Sequence, residues 1–202
     1  MEKNSVAGSD GVIRSKNELR KIILQKRDGL TIEEHKKLSS MILTGIMDWN
    51  RYKNCDSMLI YVSFRSEADT YELINNALCL GKKVYCPKVS GDDMIFYRID
   101  STDDLVEGYM GIMEPRGGLT AFDKTEGDIL VIMPGSVFDI NGNRIGYGKG
   151  FYDRFLAECQ QKGIKLTTVA LAFSLQVVDN IKTEEHDYKV DYIITEKEIY
   201  GL

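Results

Sequence analysis

The chain has 202 residues, 43% of them hydrophobic, and carries 26 Lys and Arg against 31 Asp and Glu for a formal net charge of -5. A core can be buried at this size without a disulfide or metal staple, and the acidic balance supplies no global field to draw in nucleic acid. Four cysteines (Cys55, Cys79, Cys86, Cys159) form no Cys-x-x-Cys pair, and two histidines, His35 and His186, are too few for a multi-histidine metal centre.

No apolar run reaches the roughly 20 residues of a membrane span. The polar start "MEKNSVAGSDGVIR" has no signal-peptide apolar core. The expectation is a cytoplasmic protein, a monomer, with small-molecule partners rather than nucleic acid or a membrane. Residues 1–14 read as a disordered extension and 15–202 as a single domain.

In chain order, Ser15-x-x-Glu18 and Thr31-x-x-Glu34 have capping-box spacing before two helices. Leu19, Ile22 and Ile23 give the first helix an apolar side, with Lys16 and Arg20 sharing a face of its opening turns. The second carries Leu38, Met41, Ile42, Ile46 and Trp49 as a buried stripe. "SMLIYVSF" reads as a strand that leads through "RSEAD" to a third helix, around Leu73, Ile74, Ala77 and Leu78, ended by Gly81. "KKVYCP" and "MIFYRI" are strands on either side of an "SGDD" turn, and residues 101–127 read as a long irregular connection. "DILVIMP" is a strand buried on both faces. A helix follows from about residue 150 to 161, then the strands "KLTTVALAF" and "VDYIIT". Strands alternating with helices predict an α/β fold: a three-layer α/β/α sandwich with a mostly parallel, Rossmann-like central sheet.

In such sheets ligands settle at the carboxyl ends of strands, and "PGSVFDINGNRIGYGKGFYD" follows the buried strand "DILVIM" there. Its five glycines, Gly135, Gly142, Gly146, Gly148 and Gly150, allow positive φ and close approach of backbone N–H groups to a ligand. Those groups beside a helix N-terminus suit phosphate oxygens. Arg144 and Lys149 supply positive charge, and Asp153, in the first turn of the helix, is placed to hold Mg²⁺ against phosphates. The segment is neither a Walker A loop, lacking Gly-Lys-Ser/Thr, nor the dinucleotide fingerprint, which needs Gly or Ala where Phe151 stands.

Other charged residues have plain readings of their own. Lys16 and Arg20 suit a solvated basic face, Asp69 suits a helix cap, and Glu67 caps nothing. His186, Asp187 and Asp191 fit a polar loop. Phe138, Tyr147, Phe151 and Tyr152 are divided between core and a ring-stacking surface.

The segment "PGSVFDINGNRIGYGKGFYDRFL" closely resembles the signature of the 5-formyltetrahydrofolate cyclo-ligase, or 5,10-methenyltetrahydrofolate synthetase, family. "KNELRKIILQKR", "IYVSFRSEADT" and "EEHDYKVDYIITE" are similar to other family segments in the same order. The resemblance implies an enzyme that uses ATP as co-substrate and Mg²⁺ as cofactor to convert 5-formyltetrahydrofolate to 5,10-methenyltetrahydrofolate. The implied route is phosphorylation of the formyl oxygen, then ring closure by N10.

It further implies an ATP site of Lys16, Arg20, Arg144, Ile145, Gly146, Tyr147, Gly148, Lys149, Gly150, Phe151 and Tyr152, with Arg144 and Lys149 as the catalytic cations. A folate site would include Val62, Glu67 and Tyr109 together with Tyr147, Gly148, Lys149, Gly150 and Phe151. Glu67 would meet the pterin edge, and Asp153 and Asp187 would hold the metal. Two departures from the family pattern stand out: Phe151 where a second tyrosine is frequent, and Tyr109 near where some members have a tryptophan. A non-catalytic phosphate-binding or regulatory protein on the same scaffold is the alternative, and an RNA-associated relative a further one.

Overall fold

The computed structural model describes residues 5–7, 13–123, 127–183 and 187–201. Within the expected extension, Ser5–Ala7 pairs antiparallel with Ile13–Ser15; the rest of 1–12 lies outside the described residues.

Both capping boxes form. Ser15 accepts from the Glu18 N–H at 3.2 Å and opens α1 (Lys16–Asp28), while Thr31 accepts from the Glu34 N–H at 3.2 Å and opens α2 (Ile32–Asp48). Each satisfies an N–H that the helix itself leaves unpaired. On α2 the buried face is Ser39, Ile42, Leu43 and Ile46, and Met41 is 44% exposed rather than part of the stripe. Trp49 ends the helix in extended backbone and packs edge-on against Tyr192 at 4.8 Å. A short helix, α3 (Asn50–Asn54), follows and carries no separate sequence signal.

Seven strands make the central sheet: β1 (Ser57–Ile60), β2 (Lys83–Ser90), β3 (Asp93–Ile99), β4 (Ile129–Met133), β5 (Thr167–Leu171), β6 (Tyr192–Ile194) and β7 (Ile199–Gly201). Their order is β7-β6-β5-β4-β1-β2-β3. The inner pairings are parallel, and the two edges, β2 with β3 and β6 with β7, are antiparallel.

The near-continuous apolar strands are explained by burial on both faces. Met58 and Ile60 of β1, with Leu130 and Ile132 of β4, pack toward α2 and α4 (Tyr71–Cys79); Leu59, Val131 and Met133 pack on the other side with Leu156 of α5 (Phe151–Gln161). Helix α1 sits apart from both clusters, its Leu19 and Ile23 packing on Val137, Ile145 and Ile181.

Two parts of the chain not read as strands from sequence are paired. Within 101–127, Leu105–Glu107 and Met113–Pro115 form an antiparallel hairpin. The first half of the glycine-rich segment is a hairpin too, Val137–Asp139 against Arg144–Ile145, extended by Val177–Val178. Short strands with mixed composition carry too little period-2 signal to be read from sequence.

From β1 the chain moves outward through β2 and β3, then returns to β4 and moves outward the other way through β5 and β6. The neighbouring carboxyl ends of β1 and β4 are therefore the topological switch point, where loops diverge and leave a crevice.

Candidate active site

Two segments meet at that crevice, 61–70 after β1 and 134–150 after β4. The first is a self-bonded turn. Thr70 Oγ1 donates to the Tyr61 carbonyl at 2.9 Å and accepts from the Ser63 N–H at 2.9 Å. Glu67 folds back so that its Oε2 accepts from the Phe64 N–H at 2.9 Å, across a turn in which Arg65 holds φ 55°. Asp69 Oδ1 accepts from the Tyr71 N–H at 2.9 Å, the capping role expected of it, although the N-cap position itself belongs to Thr70. Glu67 thus spends one oxygen on its own turn and has the other to offer.

The second segment is organised by Asp139, which is fully buried. Its carboxylate accepts from the Asn141 and Asn143 N–H groups, the Asn143 side-chain amide and the Ile181 N–H at 2.6–3.0 Å. Beyond the hairpin the backbone runs through Gly148 at φ 93° and Gly150 at φ 65°, the latter being the N-cap of α5. These are left-handed conformations that cost other residues about 1–2 kcal/mol. Gly146 has a different reason to be glycine: a Cβ there would sit 2.9 Å from Arg144 Nη1.

Between this segment and α1 lies a cavity of about 930 Å³, lined among others by Lys16, Arg20, Arg144, Lys149, Asp153 and Asp187. Arg144 has a side chain only 4% exposed, and its Nη2 donates to Asp153 Oδ1 at 2.7 Å. Its Nε and the Tyr152 hydroxyl are buried with no hydrogen-bond partner among the described residues. Lys16 Nζ lies 2.6 Å from Asp187 Oδ2, joining the start of α1 to the segment before β6. Arg20 Nε donates to the Gly146 carbonyl at 2.8 Å, and burial lowers its pKa. Lys149 is exposed, with its carbonyl accepting from Arg154.

The structure brings the proposed phosphate-site cations and both proposed metal carboxylates to the lining of one cavity, but not every predicted residue is there. Val62 is in the main core, 4% exposed, while Ile145 lines the cavity although its side chain packs with Leu19 and Ile23. The side chain of Tyr109, and His186, lie outside the described residues.

Asp153 and Asp187 each already face a cation. Among the described residues no group of three or more His, Cys, Asp and Glu gathers as an all-protein metal site. That donor set fits a cation such as Mg²⁺, which takes one or two carboxylates and completes its shell with substrate phosphates and water.

Tyr147 links the two segments. Its hydroxyl donates to Glu67 Oε1 at 2.5 Å and accepts from Arg27 Nη1 at 3.1 Å. Burial raises the Glu67 pKa, opposed by the Tyr147 and Phe64 hydrogen bonds and by the Arg27 charge. Burial also raises the Tyr147 pKa, followed by the neighbouring Glu67 charge. Arg27, 4% exposed, is the functional candidate that sequence reading missed. The signal was present: at 100° per residue, Lys16, Arg20 and Arg27 fall within about 40° of one another on α1.

The model of the 5-formyltetrahydrofolate cyclo-ligase family matches residues 12–196. The chain belongs to the 5-formyltetrahydrofolate cyclo-ligase family. It is accordingly an enzyme of the ligase class. It is 30% identical to a 5-formyltetrahydrofolate cyclo-ligase of Mus musculus over 196 residues, covering 90% of this chain and 94% of that one. It is 28% identical to that of Escherichia coli K12 over 182 residues, covering 89% and 99%. The solved structure of a 5,10-methenyltetrahydrofolate synthetase from Aquifex aeolicus superposes with a TM-score of 0.80 at 34% identity, covering 93% of this chain and 92% of that one. No helix among the described residues is long and apolar enough to cross a membrane.

Proposed function

We propose that the chain catalyses ATP-dependent closure of 5-formyltetrahydrofolate to 5,10-methenyltetrahydrofolate, releasing ADP and phosphate. The observation that carries this reading is the pairing, across the β1/β4 switch point, of a cation-lined glycine cradle with the carboxylate of Glu67. One half suits phosphates; the other suits the N–H donors of a pterin edge.

In this reading the triphosphate lies against the backbone N–H groups of the glycine segment and the N-terminus of α5. Lys16, Arg20, Arg144 and Lys149 neutralise its charge, which is most of what phosphoryl transfer asks of a protein. Asp153 and Asp187 would hold Mg²⁺, which adds charge neutralisation between the phosphates.

Glu67 orients the folate, with Tyr147, Gly148, Lys149, Gly150 and Phe151 on its border. The formyl oxygen attacks the terminal phosphorus and ADP leaves. N10 then attacks the formyl carbon, and phosphate departs with the former formyl oxygen and the proton lost from N10, since phosphorylation has converted a poor leaving group into a good one.

The test is absorbance at the methenyl-folate band after mixing protein, 5-formyltetrahydrofolate, Mg²⁺ and ATP. The expected result is an ATP-dependent rise. Well-folded protein that gives none is instead the non-catalytic phosphate-binding protein.

A further inference from the structure

Arg27 is a nearly buried cation whose donors go to oxygens that are themselves hydroxyls or carbonyls. Its Nε donates to Ser66 Oγ at 3.1 Å, and its Nη1 to Tyr147 Oη at 3.1 Å and weakly to the Gly135 carbonyl at 3.5 Å. A guanidinium can only donate, so each hydroxyl it reaches must turn its own proton elsewhere. Ser66 turns its proton to Asp28, and Tyr147 turns its proton to Glu67. With Oε1 accepting from Tyr147 and Oε2 from Phe64, both oxygens of Glu67 are acceptors, the arrangement of a carboxylate rather than a carboxylic acid.

We propose that Arg27 is a positioning residue: through the Tyr147 hydroxyl it holds Glu67 as an oriented, ionised acceptor for the N–H donors of the folate. This rests on the reading of Glu67 as the folate-facing carboxylate.

The surroundings make such a device necessary. Burial favours the neutral form of Glu67, and a neutral carboxyl would present a donor to a donor. The groups facing it are Arg27 and, through Ser66, Asp28 from α1; His35 from α2, whose Nε2 lies 2.8 Å from the Glu67 carbonyl; and the phenols of Tyr61, Tyr147 and Tyr152. All three phenols have raised pKa values, first through burial and then, for each of them, through the Glu67 charge, so they remain protonated. Arg27 is the compensating cation of this group, and it acts at the distance of one hydroxyl.

The experiment follows the Glu67 side-chain carboxyl by ¹³C NMR through a pH titration of the whole protein, the resonance being identified by its loss in Glu67→Gln. Tyr147→Phe, Arg27→Lys and Arg27→Met are compared with wild type, together with 5-formyltetrahydrofolate binding at pH 6 and pH 8. Glu67 is expected to titrate at higher pH in Tyr147→Phe and Arg27→Met, with Arg27→Lys between them and wild type. Folate binding should weaken roughly tenfold at pH 6, the scale of one lost charge-assisted hydrogen bond, and largely recover at pH 8.

If Arg27→Met does not fold, Tyr147→Phe and Arg27→Lys carry the comparison. An unchanged Glu67 titration in Tyr147→Phe overturns the inference whatever the folate result. A wild-type protein that binds no reduced folate overturns the substrate role, and with it the activity reading, while the titration separately decides the link from Arg27 to Glu67.

Discussion

Arg144 Nη2 lies 2.7 Å from Asp153 Oδ1, so the last strand of the glycine hairpin is tied to the first turn of α5 by a charge pair with its cation almost wholly buried. Asp153 therefore has a structural duty beside any metal duty, and two substitutions separate them. Asp153→Asn keeps an acceptor oxygen for Arg144 and should unfold within about 1 kcal/mol of wild type, while losing most Mg·ATP use. Asp153→Ala leaves a buried guanidinium unpaired and should cost about 1–3 kcal/mol. Urea unfolding alongside nucleotide binding checks both, and an Asn variant with undiminished turnover would remove Asp153 from the metal site.

Glu67 gives a pH prediction whose sign follows from burial. The folded chain holds the Glu67 proton more tightly than the unfolded chain does, because burial raises its pKa. In the window between the ordinary glutamate pKa and that raised value, stability falls as pH rises, and the loss is complete above it. Glu67→Gln escapes this penalty, but its single amide oxygen can accept from Tyr147 or from Phe64 and not from both. It should lie below wild type at low pH, narrow that gap by pH 8, and fail to bind reduced folate. Unfolding curves at the two pH values that differ by a constant offset would refute the linkage.

Two glycines of the same segment should fail differently. At Gly135 a Cβ would be driven into the ring of fully buried Phe138, so Gly135→Ala should cost about 1–3 kcal/mol as overpacking. At Gly148 the nearest atom to a Cβ is Arg20 Nη2 at 3.8 Å, and the obstacle is φ 93° itself, worth about 1–2 kcal/mol. Both lower the urea midpoint. Only Gly148→Ala should also weaken ATP binding, since its backbone is the part read as the cradle.

Asp139 is expected to be the most damaging of the substitutions considered. Asp139→Ala strands the Asn143 and Ile181 N–H groups inside the protein, each costing about 1–3 kcal/mol if left unsatisfied. The expected readout is loss of the cooperative unfolding transition at 37 °C, with Asp139→Asn partly restoring it.

The sequence carried much of this design where the signals were local. Capping boxes at Ser15 and Thr31, the apolar run of β4 and the glycines at 148 and 150 each follow from rules spanning a few residues. What it hid was non-local. Met41 fits the helical period of α2 yet is exposed, because period alone does not say how wide a face the sheet will cover. Asp139 drew no reading of its own from sequence, and its role depends on Ile181, 42 residues away. Arg27 lies on the same side of α1 as Lys16 and Arg20, and its partners come from far along the chain, Ser66 39 positions later and Tyr147 120.

The pairing of Lys16 with Asp187 spans 171 positions of the chain. Asp187 is thus translated only after α1 through α5, so the lining of the cavity is completed well after its Lys16 side. A chain cut before residue 187 lacks β6 as well, whose Ile193 and Ile194 are fully buried, so it should complete neither the cavity lining nor the central sheet.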